Sequence, residues 1–204
     1  MRRTSAKERA RTRILDDDEI RALWNARVNP FQLAFVQLAL LTAQRREKLL
    51  TMRWEDIRDG VSHIPSEKRE KGTAGELVLS DAAMIILDSL PHIDGDPKVF
   101  PYRMGCTTAG LKRQIDASVP LPHWTLHDLR RTARSLMARA GVQPHIAERV
   151  MGHVIGGVEG IYNRDAYTVE KAEALRKLAE LLGLILNPPA SNVVSYPRTI
   201  PTSL

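Results

Sequence analysis

Residues 124–162 read WTLHDLRRTARSLMARAGVQPHIAERVMGHVIGGVEGIY, and this stretch decides how the rest of the chain is interpreted. Apolar residues recur at helical spacing through its first half, and Gly141 supplies a C-terminal stop signal. Thr125 and Asp128 stand three residues apart, as the two partners of a capping box do. The stretch therefore predicts an amphipathic helix between Thr125 and Gly141, followed by a short helix that ends near His153.

The first polar cluster of this stretch lies at the start of the predicted helix. His127 and Arg130 occupy its first turns, where backbone N–H groups and the helix dipole already favour a phosphate. At i, i+3 spacing, we expect the two side chains to bind one phosphate together. The helical projection places both, with Arg131 and Arg134, opposite the apolar side. A solvated basic face is the alternative interpretation.

The second cluster joins His153 to Tyr162, nine residues later, across a segment that contains three glycines. A tyrosine on such a segment can move. A phenol becomes a covalent nucleophile when nearby positive charge offsets its pKa of about 10. A core tyrosine whose hydroxyl donates to a carbonyl is the alternative, and spacing alone leaves both open.

The composition is that of an ordinary globular chain; its positive charge favours a polyanionic partner, with solubility as the alternative explanation. Its 204 residues include 30 basic and 24 acidic side chains, a formal net charge of +6. Arginine dominates the positive charge, and its planar fork matches phosphate oxygens. The single cysteine, Cys106, excludes an intramolecular disulfide and indicates a reducing cytoplasm. No apolar run approaches the roughly 20 residues that span a bilayer, so we expect no membrane association.

The rest of the chain predicts a mainly α domain with a small antiparallel β-sheet, an α+β fold. Helical signals occur after the acidic run at 16–19, from Pro30 to Thr42, through 49–52, from Ser80 to Pro91, over 107–117 and over 168–186. A change to period two predicts a sheet of three strands at 54–57, 61–64 and 76–79. Between the last two strands lies a basic loop, SEKREKGTAG. Residues 187–204, rich in Pro and Ser, predict an irregular tail.

The sequence contains no signature of a metal or a cofactor. His123 and His127 are four residues apart, but Pro122 indicates that His123 precedes the helix. There is no HExxH, Walker A, GxGxxG or GxSxG pattern. We therefore expect neither metal nor cofactor.

Four motifs, in order along the chain, resemble those of the catalytic domain of tyrosine recombinases, the phage integrase family. The family patterns are T-G-x-R-x-x-E, K-G-x4-L-V, H-x-x-R and L-G-H with a tyrosine nine residues on. They are matched by TAQRREK at 42–48, by Lys71-Gly72 ahead of Leu77-Val78, by His127 to Arg130, and by Met151-Gly152-His153 with Tyr162. The resemblance spans residues 14–186 and implies a DNA breaking–rejoining fold.

Two departures from the family pattern lie in the first motif. Ala43 replaces the glycine, and Lys48 stands where an acidic residue is usual. Neither removes a catalytic residue, but both affect how Arg45 is held. Glu47 is a candidate to compensate for the missing acid.

The resemblance implies a role for each matched residue. Tyr162 attacks a DNA phosphodiester, giving a 3′-phosphotyrosyl link and a free 5′-hydroxyl. Arg45 and Arg130 neutralise the charge that grows on the phosphate. Lys71, with Lys68 as its alternative, protonates the leaving oxygen; His127 assists proton transfer at the nucleophile, and His153 donates to the phosphate. Further DNA contacts are expected from five basic residues: Arg46, Lys68, Arg69, Arg131 and Arg134.

The resemblance also implies an organisation and a partner. The partner is double-stranded DNA, with a homo-tetramer on DNA and a monomer without it. We expect a catalytic domain over 14–186 behind a basic arm or linker at 1–13, with no N-terminal core-binding domain. The helix at 168–186 is expected either to pack on its own domain or to dock onto a neighbouring protomer. A type IB topoisomerase and a DNA-binding or assembly module with little activity are the alternative functions.

Overall fold

The computed structural model describes residues 13–66, 74–153 and 167–188. Within these ranges the chain forms eight α-helices and one three-stranded sheet. The helices are α1 (Asp17–Trp24), α2 (Pro30–Thr42), α3 (Arg46–Leu50), α4 (Asp81–Asp88), α5 (Thr108–Ser118), α6 (Leu126–Arg139), α7 (Pro144–Val150) and α8 (Thr168–Leu186). The strands are β1 (Ile57–Arg58), β2 (Val61–His63) and β3 (Glu76–Val78). Among these helices, none is long and apolar enough to cross a membrane.

Capping signals in the sequence fix where the first helices begin. Asp16 accepts a hydrogen bond from the Glu19 N–H at 2.8 Å, and Glu19 accepts one from the Asp16 N–H at 3.0 Å. Asn29 accepts from the Gln32 N–H at 3.0 Å, with Pro30 at the first helical position. These bonds satisfy N–H groups that have no partner within the helix.

The centre of the core is α2, as its almost continuous apolar sequence predicts. Most of its side chains are buried, and it packs against α1, α4, α6 and α8. A helix that is apolar on all sides is stable only when other elements surround it. The residues at the ends of α2 are therefore held in place by the helices packed around it.

The sheet is antiparallel, with the order β1-β2-β3. Asp59 and Gly60 both have positive φ, as a tight hairpin turn requires, so the predicted turn there is confirmed. The predicted strand over 54–57 is wrong for most of its length. Residues 54–56 form a 3-10 turn, because the Asp56 carboxylate accepts from the Arg53 N–H at 3.0 Å.

The C-terminal helix α8 has the predicted bounds and lies against its own domain. It contacts α1, α2, α6, α7 and β3. Its buried apolar side chains are Ala174, Leu175, Leu178, Leu182 and Ile185. Of the two placements left open by the sequence, the structure shows the one in which the helix packs within the same chain.

Candidate functional site

The buried guanidinium of Arg130 is the centre of the candidate site. The predicted capping box positions the start of α6, with the Thr125 N–H donating to Asp128 at 2.8 Å. Arg130 is only 3% exposed, so the alternative interpretation, a solvated basic face, does not hold for this residue. Its Nη1 donates to the Ala43 carbonyl at 2.7 Å and its Nη2 donates to the Met151 carbonyl at 2.8 Å. These acceptors offset the cost of burying a charge.

The turn after α2 presents one of these carbonyls. Ala43 has a φ of 54°, in the left-handed region that the family's glycine would adopt without strain. Gln44 fixes the turn, since its Nε2 donates to the carbonyls of Thr42 at 2.9 Å and Val150 at 2.8 Å. The replacement of glycine by Ala43 therefore keeps the geometry and adds backbone strain.

Arg45 joins the same cluster from the N-cap of α3. Its Nη2 donates to the Gly152 carbonyl at 3.1 Å, next to the Met151 carbonyl that Arg130 binds. Gly152 has a φ of 68° and turns the chain directly after α7. Two guanidiniums from distant parts of the sequence thus meet at the residues that precede His153.

The His153 ring lies between a cation and a carboxylate. Its Nε2 is 2.9 Å from Nη2 of Arg130, and its Nδ1 is 2.5 Å from Glu148 Oε2. Because arginine can only donate, Nε2 is the acceptor, and the proton on Nδ1 is donated to Glu148. The backbone reinforces this arrangement, since the His153 N–H donates to the Glu148 carbonyl at 2.9 Å.

Glu148 is a site residue that the sequence reasoning missed. Burial opposes its ionisation, but hydrogen bonds from Arg134 and His153 leave the pKa of its carboxyl below the ordinary value. Arg134 donates to it through Nε at 2.8 Å. The available signal was its place in the last turn of α7, two residues before Val150.

His127 lies at the surface beside these cations. Partial desolvation lowers the pKa of its imidazole, as do the positive charges of Arg131 and Arg130, while Asp128 opposes them. Arg131 is bound to Asp128, with Nη1 2.5 Å from Oδ1. His127 is therefore neutral at pH 7 and able to accept a proton.

Several predicted DNA-contact residues already have carboxylate partners. Arg131 pairs with Asp128 and Arg134 pairs with Glu148. Arg46 binds the adjacent Glu47, with Nε 2.8 Å from Oε1. Glu47 thus neutralises Arg46. The remaining predicted site residues, Lys68, Arg69, Lys71 and Tyr162, lie outside the described residues.

The described residues contain no group of three or more His, Cys, Asp or Glu side chains that could hold a metal ion. His123 precedes the first residue of α6, Leu126, whereas His127 belongs to that helix. The two imidazoles therefore do not share a helix face.

Comparison with known proteins identifies the family. A profile described as the phage integrase family matches residues 13–168. The chain belongs to the phage integrase family. Among curated members, the prophage integrase IntF of Escherichia coli (strain K12) is 26% identical over 136 residues, 61% of this chain and 28% of that protein. The shufflon-specific DNA recombinase of Escherichia coli is 34% identical over 110 residues, 51% of this chain and 27% of that protein.

This phage integrase family chain thus spans about a quarter of the length of those two relatives. Solved structures confirm the predicted fold. The lambda integrase catalytic core superposes with a TM-score of 0.51 at 24% identity, covering 69% of this chain and 94% of that one. A lambda integrase tetramer bound to a Holliday junction superposes with a TM-score of 0.53 at 22% identity, covering 76% of this chain and 51% of that one.

Proposed function

We propose that residues 14–186 are the catalytic domain of a site-specific DNA recombinase that cleaves and rejoins DNA through a 3′-phosphotyrosyl intermediate. The observation that carries this proposal is the cluster of Arg45, Arg130 and His153. Two guanidiniums bind successive carbonyls, those of Gly152 and Met151, and one of them also contacts the imidazole. A phosphodiester presents the charge and the oxygen geometry that the two guanidiniums bind.

In the proposed reaction, the Tyr162 phenolic oxygen attacks phosphorus and the bond from phosphorus to the 5′-oxygen breaks. His127, neutral because its pKa is lowered, accepts the phenol proton. The ammonium of Lys71, or of Lys68 as the alternative, gives a proton to the 5′-oxygen. The cations Arg45 and Arg130 neutralise the non-bridging oxygens, and losing one such donor typically costs about 3 kcal/mol of barrier.

Rejoining reverses these steps. The 5′-hydroxyl of a DNA strand attacks the phosphotyrosyl ester and returns the phenol, so the ester conserves the energy of the broken bond. We propose double-stranded DNA as the partner and a homo-tetramer on DNA, because the related lambda integrase forms a tetramer bound to a Holliday junction. We place the reaction in the cytoplasm.

The test is covalent capture on a nicked suicide substrate, in which the strand beyond the nick diffuses away after cleavage. A pool of nicked duplexes with randomised core sequence avoids the need to know the target site. We expect wild type to form a protein–DNA adduct that survives denaturation, and Tyr162→Phe to form none. Tyr102→Phe, a substitution at an exposed tyrosine, is the control and should leave the adduct unchanged.

A wild-type protein that binds the DNA pool without forming an adduct would contradict the proposed chemistry. The chain would then act as a DNA-binding or assembly module. An adduct that Tyr162→Phe forms as readily as wild type would show that another residue is the nucleophile.

A further inference from the structure

A buried lysine ties the C-terminal helix to the sheet. Lys171 lies in the first turn of α8 and is 4% exposed. Its Nζ donates to the carbonyls of Ala74 at 2.8 Å and Glu76 at 2.7 Å. Burying an ammonium is unfavourable unless hydrogen bonds replace its hydration. Desolvation accordingly lowers the pKa of Lys171. A nonpolar side chain of similar length would fill the space at less cost, so the two carbonyls are the reason for a lysine here.

These carbonyls mark one end of the loop that contains Lys68 and Lys71. A second buried lysine marks the other end. Lys48, 7% exposed on α3, donates through Nζ to the Pro65 carbonyl at 2.8 Å. The Ile64 N–H donates to the Gly75 carbonyl at 2.9 Å and closes the stem between the two anchors. Buried ammoniums therefore bind the backbone on both sides of residues 67–73, at Pro65 before them and at Ala74 and Glu76 after them.

The first turn of α8 is also anchored on its other side. Tyr167, the N-cap of α8, follows the segment that carries Tyr162, and its ring lies 3.9 Å from the Arg149 guanidinium on α7. The Lys171 N–H donates to the Tyr167 carbonyl at 2.9 Å, so the two anchors share one helical turn. That turn joins the end of the Tyr162 segment, the helix that leads to His153 and the stem of the lysine loop.

We infer that Lys171 and Lys48 are positioning residues for the leaving-group side of the reaction. By holding the two stems of the β2–β3 loop, they place its proton-donating lysine relative to the first turn of α8 and so to the nucleophile segment. This inference rests on the proposed function. It assigns a use to Lys48, which stands where the family pattern has an acid.

The inference predicts a defect that depends on the leaving group. Removing an anchor displaces the proton donor, and a displacement of about 1 Å costs up to roughly a hundredfold in rate. When sulfur replaces the bridging 5′-oxygen of the substrate, the phosphorus–sulfur bond breaks without a proton being supplied. The leaving strand then departs as a thiolate. The positioning defect should therefore vanish on that substrate.

The experiment measures single-turnover adduct formation by the full chain on matched suicide substrates, one with oxygen and one with sulfur at the 5′ position. We expect Lys171→Met and Lys48→Met each to slow the oxygen substrate about 10- to 100-fold, with near wild-type rates on the sulfur substrate. Lys177→Met is the control, because Lys177 lies on the same helix but is 40% exposed. It should match wild type on both substrates.

Thermal melting of each variant separates positioning from folding. A variant that fails to fold loses activity on both substrates, and the other lysine then provides the test at the opposite stem. Equal slowing of both substrates by a folded variant, or no slowing of either, would overturn the inference while the wild-type adduct still supports the proposed function. Absence of a wild-type adduct on both substrates would overturn the proposed function, and the inference with it.

Discussion

At the scale of single residues, the chemistry of the site depends on which partner each cation already has. Arg130 and Arg45 donate to backbone carbonyls, and such hydrogen bonds do not neutralise a guanidinium. Arg131 and Arg134 bind carboxylates instead, and those carboxylates orient other groups. The residue types at these positions were evident from the sequence. Their partners were not, because Ala43 and Met151 are far from Arg130 along the chain.

The pH dependence of cleavage tests the role of His127. If the neutral imidazole accepts the phenol proton, the rate falls only when the pH drops through the lowered pKa of His127, below its ordinary value of about 6.5. Arg131→Gln removes a positive charge and frees the Asp128 carboxylate, and both changes raise that pKa. We expect the acid limb of the rate profile for adduct formation to move to higher pH.

Arg139→Gln provides the control for this shift. Arg139 lies at the opposite end of α6 and pairs with Asp17, so its loss should leave the acid limb in place. An acid limb unchanged by Arg131→Gln would show that His127 is not the group that titrates.

At the scale of elements, local signals predicted the helices well and the first strand poorly. The capping box of α6 and the bounds of α8 follow from residues within a few positions of each other. The strand expected at 54–57 fails because Asp56 binds the Arg53 N–H and closes a turn. The burial of Arg130 depends instead on how α2, α6 and α7 pack, and sequence periodicity carries no information about such long-range acceptors.

The turn that ends α2 gives a prediction about stability. A left-handed conformation costs a non-glycine residue about 1–2 kcal/mol, and Ala43 bears this cost at a φ of 54°. Ala43→Gly relieves the strain but loses a buried methyl group and, as at any position, gives the unfolded chain more conformational freedom. Ala39→Gly loses a comparable buried methyl group within the helix, where glycine costs about 1 kcal/mol more than alanine.

We therefore expect Ala43→Gly to leave the free energy of unfolding at least about 1 kcal/mol higher than Ala39→Gly does. Urea denaturation of both variants measures the difference. Equal destabilisation by the two substitutions would mean that the turn at Ala43 is unstrained.

At the scale of the whole molecule, α8 belongs to the core of its own domain. Its buried face meets five other elements, and Lys171 extends that attachment to the sheet. Sequence periodicity located the buried face of this helix but did not decide which molecule covers it. An assembly on DNA that moved α8 to a neighbour would have to expose this face first.

The contribution of α8 to folding can be measured with two leucines of the same helix. Leu178 is fully buried, and Leu178→Ala should lower the free energy of unfolding by about 2–5 kcal/mol. Leu184 is 61% exposed, and Leu184→Ala should change it by no more than about 0.5 kcal/mol. Chemical denaturation of both variants provides the comparison. A small effect of Leu178→Ala would indicate that α8 is not held on its own domain in solution.

The most direct test of the central claim is to locate the covalent bond. Trypsin digestion of the captured adduct yields a peptide of residues 150–164, in which Tyr162 is the sole tyrosine, and a separate peptide of residues 165–171 that contains Tyr167. Mass spectrometry should find a nucleotide attached through its 3′-phosphate to the peptide of residues 150–164. A nucleotide on any other peptide, or one attached through a 5′-phosphate, would contradict the account.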